Sequence, residues 1–66
     1  MNSEHRRVIV NLNLPPLQAQ ALAQLTARIS MVEIKHLAVN DEQALDMRNA
    51  VTELELLLAA QGFIPR

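Results

Sequence analysis

Apolar and polar positions alternate at the start of the chain, with Val8, Val10, Leu12 and Leu14 on one side and Arg7, Ile9, Asn11 and Asn13 on the other. A period of two predicts a half-buried strand over residues 7–14. No second stretch of this kind follows, so the strand's ladder partner is expected to be the same strand of another protomer. Pro15 and Pro16 end the alternation. Neither can donate to a ladder, yet proline suits the first turn of a helix, where its missing N–H would have gone unsatisfied.

Past the prolines the period lengthens, and a first helix is predicted over residues 16–30. Leu17, Ala21, Leu22, Leu25 and Ile29 share an arc of about 140°, the width of a core-facing stripe. Ala19, Ala23 and Ala27 recur every four residues on the opposite side, flanked by Gln20 and Gln24. Small side chains at that spacing let a second helix approach closely, although alanine is also simply the best helix former. In the stretch SMVEIKHLAV, Ser30 and Glu33 fit a capping box, while Val32, Ile34, His36 and Ala38 also alternate. A short helical turn over residues 31–38 is preferred.

A second helix is predicted over residues 41–61. Asn40 suits the N-cap with Gln43 three residues on, and Asp41 and Glu42 place negative charge where the helix dipole favours it. Met47, Val51, Leu54 and Leu58 draw a core seam that Ala44, Ala50 and Leu57 widen. Leu45, Thr52, Leu56 and Ala59 form a second stripe within an arc of about 60° on the far side. Gly62 suits a left-handed C′ position, Phe63 packs back on Leu58 as in a Schellman motif, and Pro65 bars continuation. The fold class is therefore mainly α, in the order βαα: an N-terminal strand paired between protomers, then two helices joined by a short helical turn. Residues 1–66 form one domain, with residues 1–6 and 64–66 expected to be frayed.

Length sharpens this expectation. A chain of 66 residues buries only about 60% of the surface its unfolded form exposes and is marginal alone. It has no cysteine, which removes disulfides and thiolate metal sites, so self-association is the economical aid. The expected interface residues are Val8, Val10, Leu12, Ala19, Ala23, Ala27, Leu45 and Leu56. Half of the residues are hydrophobic but only Phe63 is aromatic, and the formal charge is −1. That balance lacks the basic footprint of a protein dominated by phosphate contacts. No window approaches the roughly 18 apolar residues of a membrane span, and the N-terminus lacks the apolar run of a signal peptide. A cytoplasmic protein with no membrane partner is expected.

Candidate chemistry is sparse. Ser3 and Ser30 stand in no nucleophile motif, and His5 and His36 read as ordinary surface or half-buried histidines. Glu42 and Asp46 lie one helical turn apart with nothing placed to complete a cation shell, and Glu53 and Glu55 point about 160° apart on a helix. Gly62 is the single glycine, so no glycine-rich phosphate loop exists. No enzyme activity, cofactor or metal is expected. Arg28, Lys35 and Arg48 are candidate contacts for a small nucleotide held between protomers.

Two resemblances add to this. The stretch RRVIVNLNLPP resembles the opening strand of ribbon-helix-helix repressors, in which two protomers pair strands into a ribbon that reads the major groove. That resemblance implies base contacts from Arg7, Asn11 and Asn13, with Ile9 on the same face. The long Ser30–Asn40 connection departs from that family, and Asp41 and Glu42 would repel a phosphate at the helix N-terminus. The segments ALAQL, LAVNDEQA and GFIPR resemble a family of short uncharacterised proteins labelled plasmid-related, carried on bacterial mobile elements. That likeness implies a phage or plasmid context and a stoichiometric binding protein aimed at a host component, with counter-defence as one role. A ribbon-helix-helix regulator and a nucleotide sponge stand as alternatives.

Overall fold

Each helix begins at a residue chosen for beginning one. In the computed structural model, which describes residues 6–66, α1 spans Pro16–Arg28, α2 Met31–Leu37 and α3 Asp41–Ala60. Pro15 caps α1 with Pro16 in its first turn, and the Ala19 N–H donates to the Pro15 carbonyl at 3.0 Å. At the start of α2 the Glu33 N–H donates to Ser30 Oγ at 3.1 Å while the Ser30 N–H donates to the Glu33 carboxylate at 2.8 Å. This complete capping box satisfies two orphan donors, and it settles the ambiguous middle stretch as helix. At α3 the Gln43 N–H donates to Asn40 Oδ1 at 2.8 Å, and Gln43 Oε1 reaches one residue further back to accept from the Val39 N–H at 2.8 Å.

The end of α3 is a Schellman motif. Gly62 sits at φ +95°, the Phe63 N–H donates to the Leu58 carbonyl and the Gly62 N–H to that of Ala59, each at 2.9 Å. Phe63 packs on the cluster that contains Leu58, the hydrophobic contact that accompanies this cap.

The expected strand is absent. Residues 6–15 form no regular hydrogen-bonded element, and among the described residues every regular element is a helix, with no strand or sheet. The fold is ααα and not βαα. Alternation records which side of an extended segment is apolar, but a strand also needs a ladder, and the described residues form none. Val8, Val10 and Leu12 are instead exposed, and only Leu14 turns in, against the cluster formed by α1 and α3. The expected fraying of residues 1–6 falls, apart from Arg6, outside the described residues, as do Ser3 and His5.

Both short helices pack on α3 and not on each other. The core is small: Ala19, Ala23 and Leu58 cluster with Leu14, Leu22, Leu54 and Phe63, while Ile34 of α2 and Ala44 of α3 are buried further along. Thr26 is buried too, its hydroxyl donating to the Ala23 carbonyl at 3.0 Å. On α3 the expected seam faces inward, with Leu58 and Ala44 buried and Met47, Val51 and Leu54 half-buried, but Ala50 and Leu57 are exposed.

On α1 the two faces are exchanged. The alanine side, expected to meet another protomer, packs within the chain, with Ala23 only 1% exposed, whereas Leu17 is 86% exposed and Leu25 58%. Ala27, the third alanine of the stripe, is exposed. Bulky Leu54, Leu58 and Phe63 already fill the space beside α3, and a small-residue face lets α1 approach them without overpacking. The tail after α3 holds α1 in place, with Gln20 Nε2 donating to the Ile64 carbonyl at 2.6 Å and the Arg28 guanidinium to a main-chain oxygen of Arg66.

This packing generates a test of which α1 face is inside. Ala23→Leu is expected to lower unfolding stability by about 1–3 kcal/mol through overpacking, while Ala27→Leu, one turn along on exposed surface, changes it by no more than about 0.5 kcal/mol. Urea unfolding of the two variants measures both, and equal effects would contradict the observed orientation.

Candidate functional site

Because α1 turns its alanines inward, its leucines line the surface. Leu12 and Leu14, on the segment that leads into α1, lie beside Gln18, Ala21, Leu22 and Leu25, and these six residues line a shallow, mostly apolar groove of about 370 Å³. The sequence pattern places no charged residue on this wall until Arg28 at the helix end. A second open depression of about 490 Å³ runs along α2, lined by Val32, Glu33, His36 and Leu37. The far side of α3 carries the third apolar surface. Leu45, Thr52, Leu56 and Ala59 are all exposed there, and Arg48 on one flank with Asn49 and Glu53 on the other border the stripe.

The candidate residues divide accordingly. Of the expected interface set, Val8, Val10, Leu12, Ala27, Leu45 and Leu56 are exposed, whereas Ala19 and Ala23 are covered by α3 of the same chain and so cannot meet another protomer without unpacking it. Arg7, Asn11 and Asn13 are exposed on unpaired backbone. The array of base-facing side chains implied by the ribbon-helix-helix resemblance depends on a strand ladder and is not formed. Arg28 is engaged with Arg66, Lys35 and Arg48 are exposed on α2 and α3, and neither groove is lined by any of the three.

Groups with chemical potential are occupied locally or stand apart. The Ser30 hydroxyl belongs to the capping box. Among the described residues no three His, Asp or Glu side chains gather as metal ligands, and no helix is long and apolar enough to cross a membrane. The outer face of α1 was not legible as a site, because its periodicity equals that of a core stripe. The signal that could have found it lies on the other side of the helix, where Gln20 and Gln24 flank the alanines as half-buried residues and the Gln20 amide hydrogen-bonds the tail.

The whole chain carries one further identification. Residues 1–66 match a family of unknown function, DUF7706. The chain belongs to this family. No curated protein and no solved structure matches it. DUF7706 membership accords with the expectation of a short uncharacterised family.

Glu33 is the one acid on the rim of the α2 groove whose titration the structure perturbs. The Ser30 N–H, and next the Ser30 hydroxyl, hold its carboxyl below the ordinary value, against a small opposing effect of burial. A depressed folded value means that the carboxylate's contribution to the α2 cap is fully present above the unfolded value and fades as pH falls through the folded one. In NMR titrations the Ser30 amide is expected to shift and lose exchange protection only at pH below the ordinary glutamate range. Glu33→Gln, which keeps an acceptor, should remove that dependence, and a Ser30 amide indifferent to acid in the native chain would refute the assignment.

Proposed function

We propose that the protein is a non-enzymatic binding protein of a bacterial phage or plasmid, acting stoichiometrically on a host protein in the cytoplasm, with counter-defence as its setting. The single observation that carries this reading is the far stripe of α3. Leu45, Thr52, Leu56 and Ala59 lie exposed on the longest helix. An apolar strip within a polar border is the composition of a protein-recognition surface, in which the centre excludes water and the rim sets specificity. The mobile-element setting rests on the likeness of ALAQL, LAVNDEQA and GFIPR to plasmid-related proteins. A helix face of this kind is read by a groove at spacings of three and four residues, and Thr52, Leu56 and Ala59 follow that spacing.

A photo-crosslinking side chain at position 56, expressed in the bacterial host, is expected to yield one adduct of discrete mass at fixed stoichiometry. Leu45→Glu should abolish that adduct while leaving helicity unchanged. Salt-dependent binding to a DNA duplex that is lost in Arg7→Ala would replace this reading with nucleic-acid binding. Thermal stabilisation by a cyclic nucleotide, lost in Arg48→Ala, would replace it with nucleotide capture.

A further inference from the structure

α1 and α2 are joined by a link that nothing braces. The Ile29 N–H donates back to the Leu25 carbonyl and closes α1, while the Ser30–Glu33 box and the Ile34 N–H, donating to the Ser30 carbonyl, open α2. Each cap closes on its own side, and among the described residues no hydrogen bond links α1 to α2. Both residues of the link are extended, Ile29 at φ −65°, ψ 128° and Ser30 at φ −90°, ψ 161°, and the two helices do not pack on each other. What ties α1 to the rest of the chain by hydrogen bonds is the segment after α3. Gln20 Nε2 donates to the Ile64 carbonyl and the Arg28 guanidinium to the main-chain oxygen of Arg66, and among the described residues every other hydrogen bond is local. The apolar contact beneath is an alanine face, which removes little area from water, so these polar attachments weigh more than they would over a leucine-lined interface.

We infer that α1 is a hinged arm strapped down by the tail: it swings off α3 as a unit about the Ile29–Ser30 link while α2 and α3 stay packed, and the bonds from Gln20 and Arg28 to residues 64–66 set how often it does so. Local opening selects elements with few buried apolar groups and surface hydrogen bonds. α1 has both, since only Ala19, Ala23 and Thr26 are buried on it and the two strap bonds lie at the surface. α2 does not follow, because it packs on α3 in its own right and buries Ile34. The far end of the arm is equally free: Leu14 packs on the same cluster and leaves with α1, and Val8, Ile9 and Val10 before it are exposed. Opening uncovers Leu54 and Leu58 of α3, which the arm otherwise covers. Anything that engages residues 64–66 competes with Gln20 and Arg28 and so exposes that seam. This device is independent of whatever binds the far stripe of α3.

Amide hydrogen exchange of the full chain, followed through urea concentrations below the unfolding transition, reads this motion directly. In the native chain the Ala23 and Leu25 amides are expected to be less protected than those of Leu54 and Leu58, and to respond more weakly to urea, because opening the arm exposes less surface than unfolding the whole. A hydrogen bond shifts an opening equilibrium by about two- to tenfold, so Gln20→Ala combined with Arg28→Ala should lower α1 protection by about tenfold. Gln24→Ala, at a half-buried glutamine of the same helix with no bond to the tail, should change it by no more than about twofold. Equal protection and equal urea dependence in α1 and α3 would overturn the hinge, since the molecule would then open only as a whole. Protection in α1 that survives the double substitution, or that falls as far in Gln24→Ala, would overturn the strap. If the double variant fails to fold, Arg28→Ala alone, at an exposed residue, is read by the same criteria. A missing adduct from position 56 in cells would leave these results untouched, so the two proposals fail separately.

Discussion

The contact between Ala19 and Ala23 of α1 and Leu58 of α3 decides the rest of the molecule. It is where the largest cluster of the core forms, and Leu14, Leu22, Leu54 and Phe63 close around it. Choosing the alanine face for this contact brings the helices near enough for bulky residues of α3 to fill the gap. The same choice turns Leu17 and Leu25 outward. Nothing in the helix itself demands this, since the leucine stripe has the same period and more area to bury. The Schellman turn tips the balance, because it places Phe63 beside Leu58 and sends the tail along α1, where Gln20 and Arg28 bind its main chain. Gln20 flanks the alanines, and it reaches the tail when the alanine face is turned in.

The local signals were readable because each is a short-range transaction between neighbours. Pro16, the Ser30–Glu33 box, Asn40 and Gly62 satisfy or relieve specific backbone groups, and those requirements hold whatever the tertiary context. The α3 seam was readable too, having one apolar face clearly richer than the other at Met47, Val51, Leu54 and Leu58. Two features were not. On α1 both faces are apolar, and periodicity ranks them by area when the deciding quantity is how closely the axes can approach. At residues 7–14 the alternation was real, but a strand is a relation between two segments, and a pattern within one segment cannot supply the other.

The core that results is small for its chain. Among the described residues no large side chain is completely buried, and the two most fully covered positions, Ala23 and Ala44, are alanines. Burying alanine removes little apolar area from water, so the term that dominates folding is weak here. What helps is economy elsewhere: among the described residues the only positive φ falls on Gly62, the helix starts are capped or opened by proline, and no buried side-chain polar atom lacks a hydrogen-bond partner. Such a protein avoids penalties more than it accumulates gains, and it benefits disproportionately from any partner that covers its leucines.

The outer face of α1 and the far side of α3 differ in composition. Obligate interfaces resemble a domain core cut in half, while interfaces that form and separate keep a polar composition at the rim so that each partner survives alone in water. The outer face of α1 has a composition like the first, with Leu17, Ala21, Leu22 and Leu25 uninterrupted by charge. The far side of α3 has one like the second, its narrow stripe set between Arg48 and Glu53. A chain that left its α1 face open would carry its stickiest surface into every encounter, and any target recognised by α3 would compete with non-specific association.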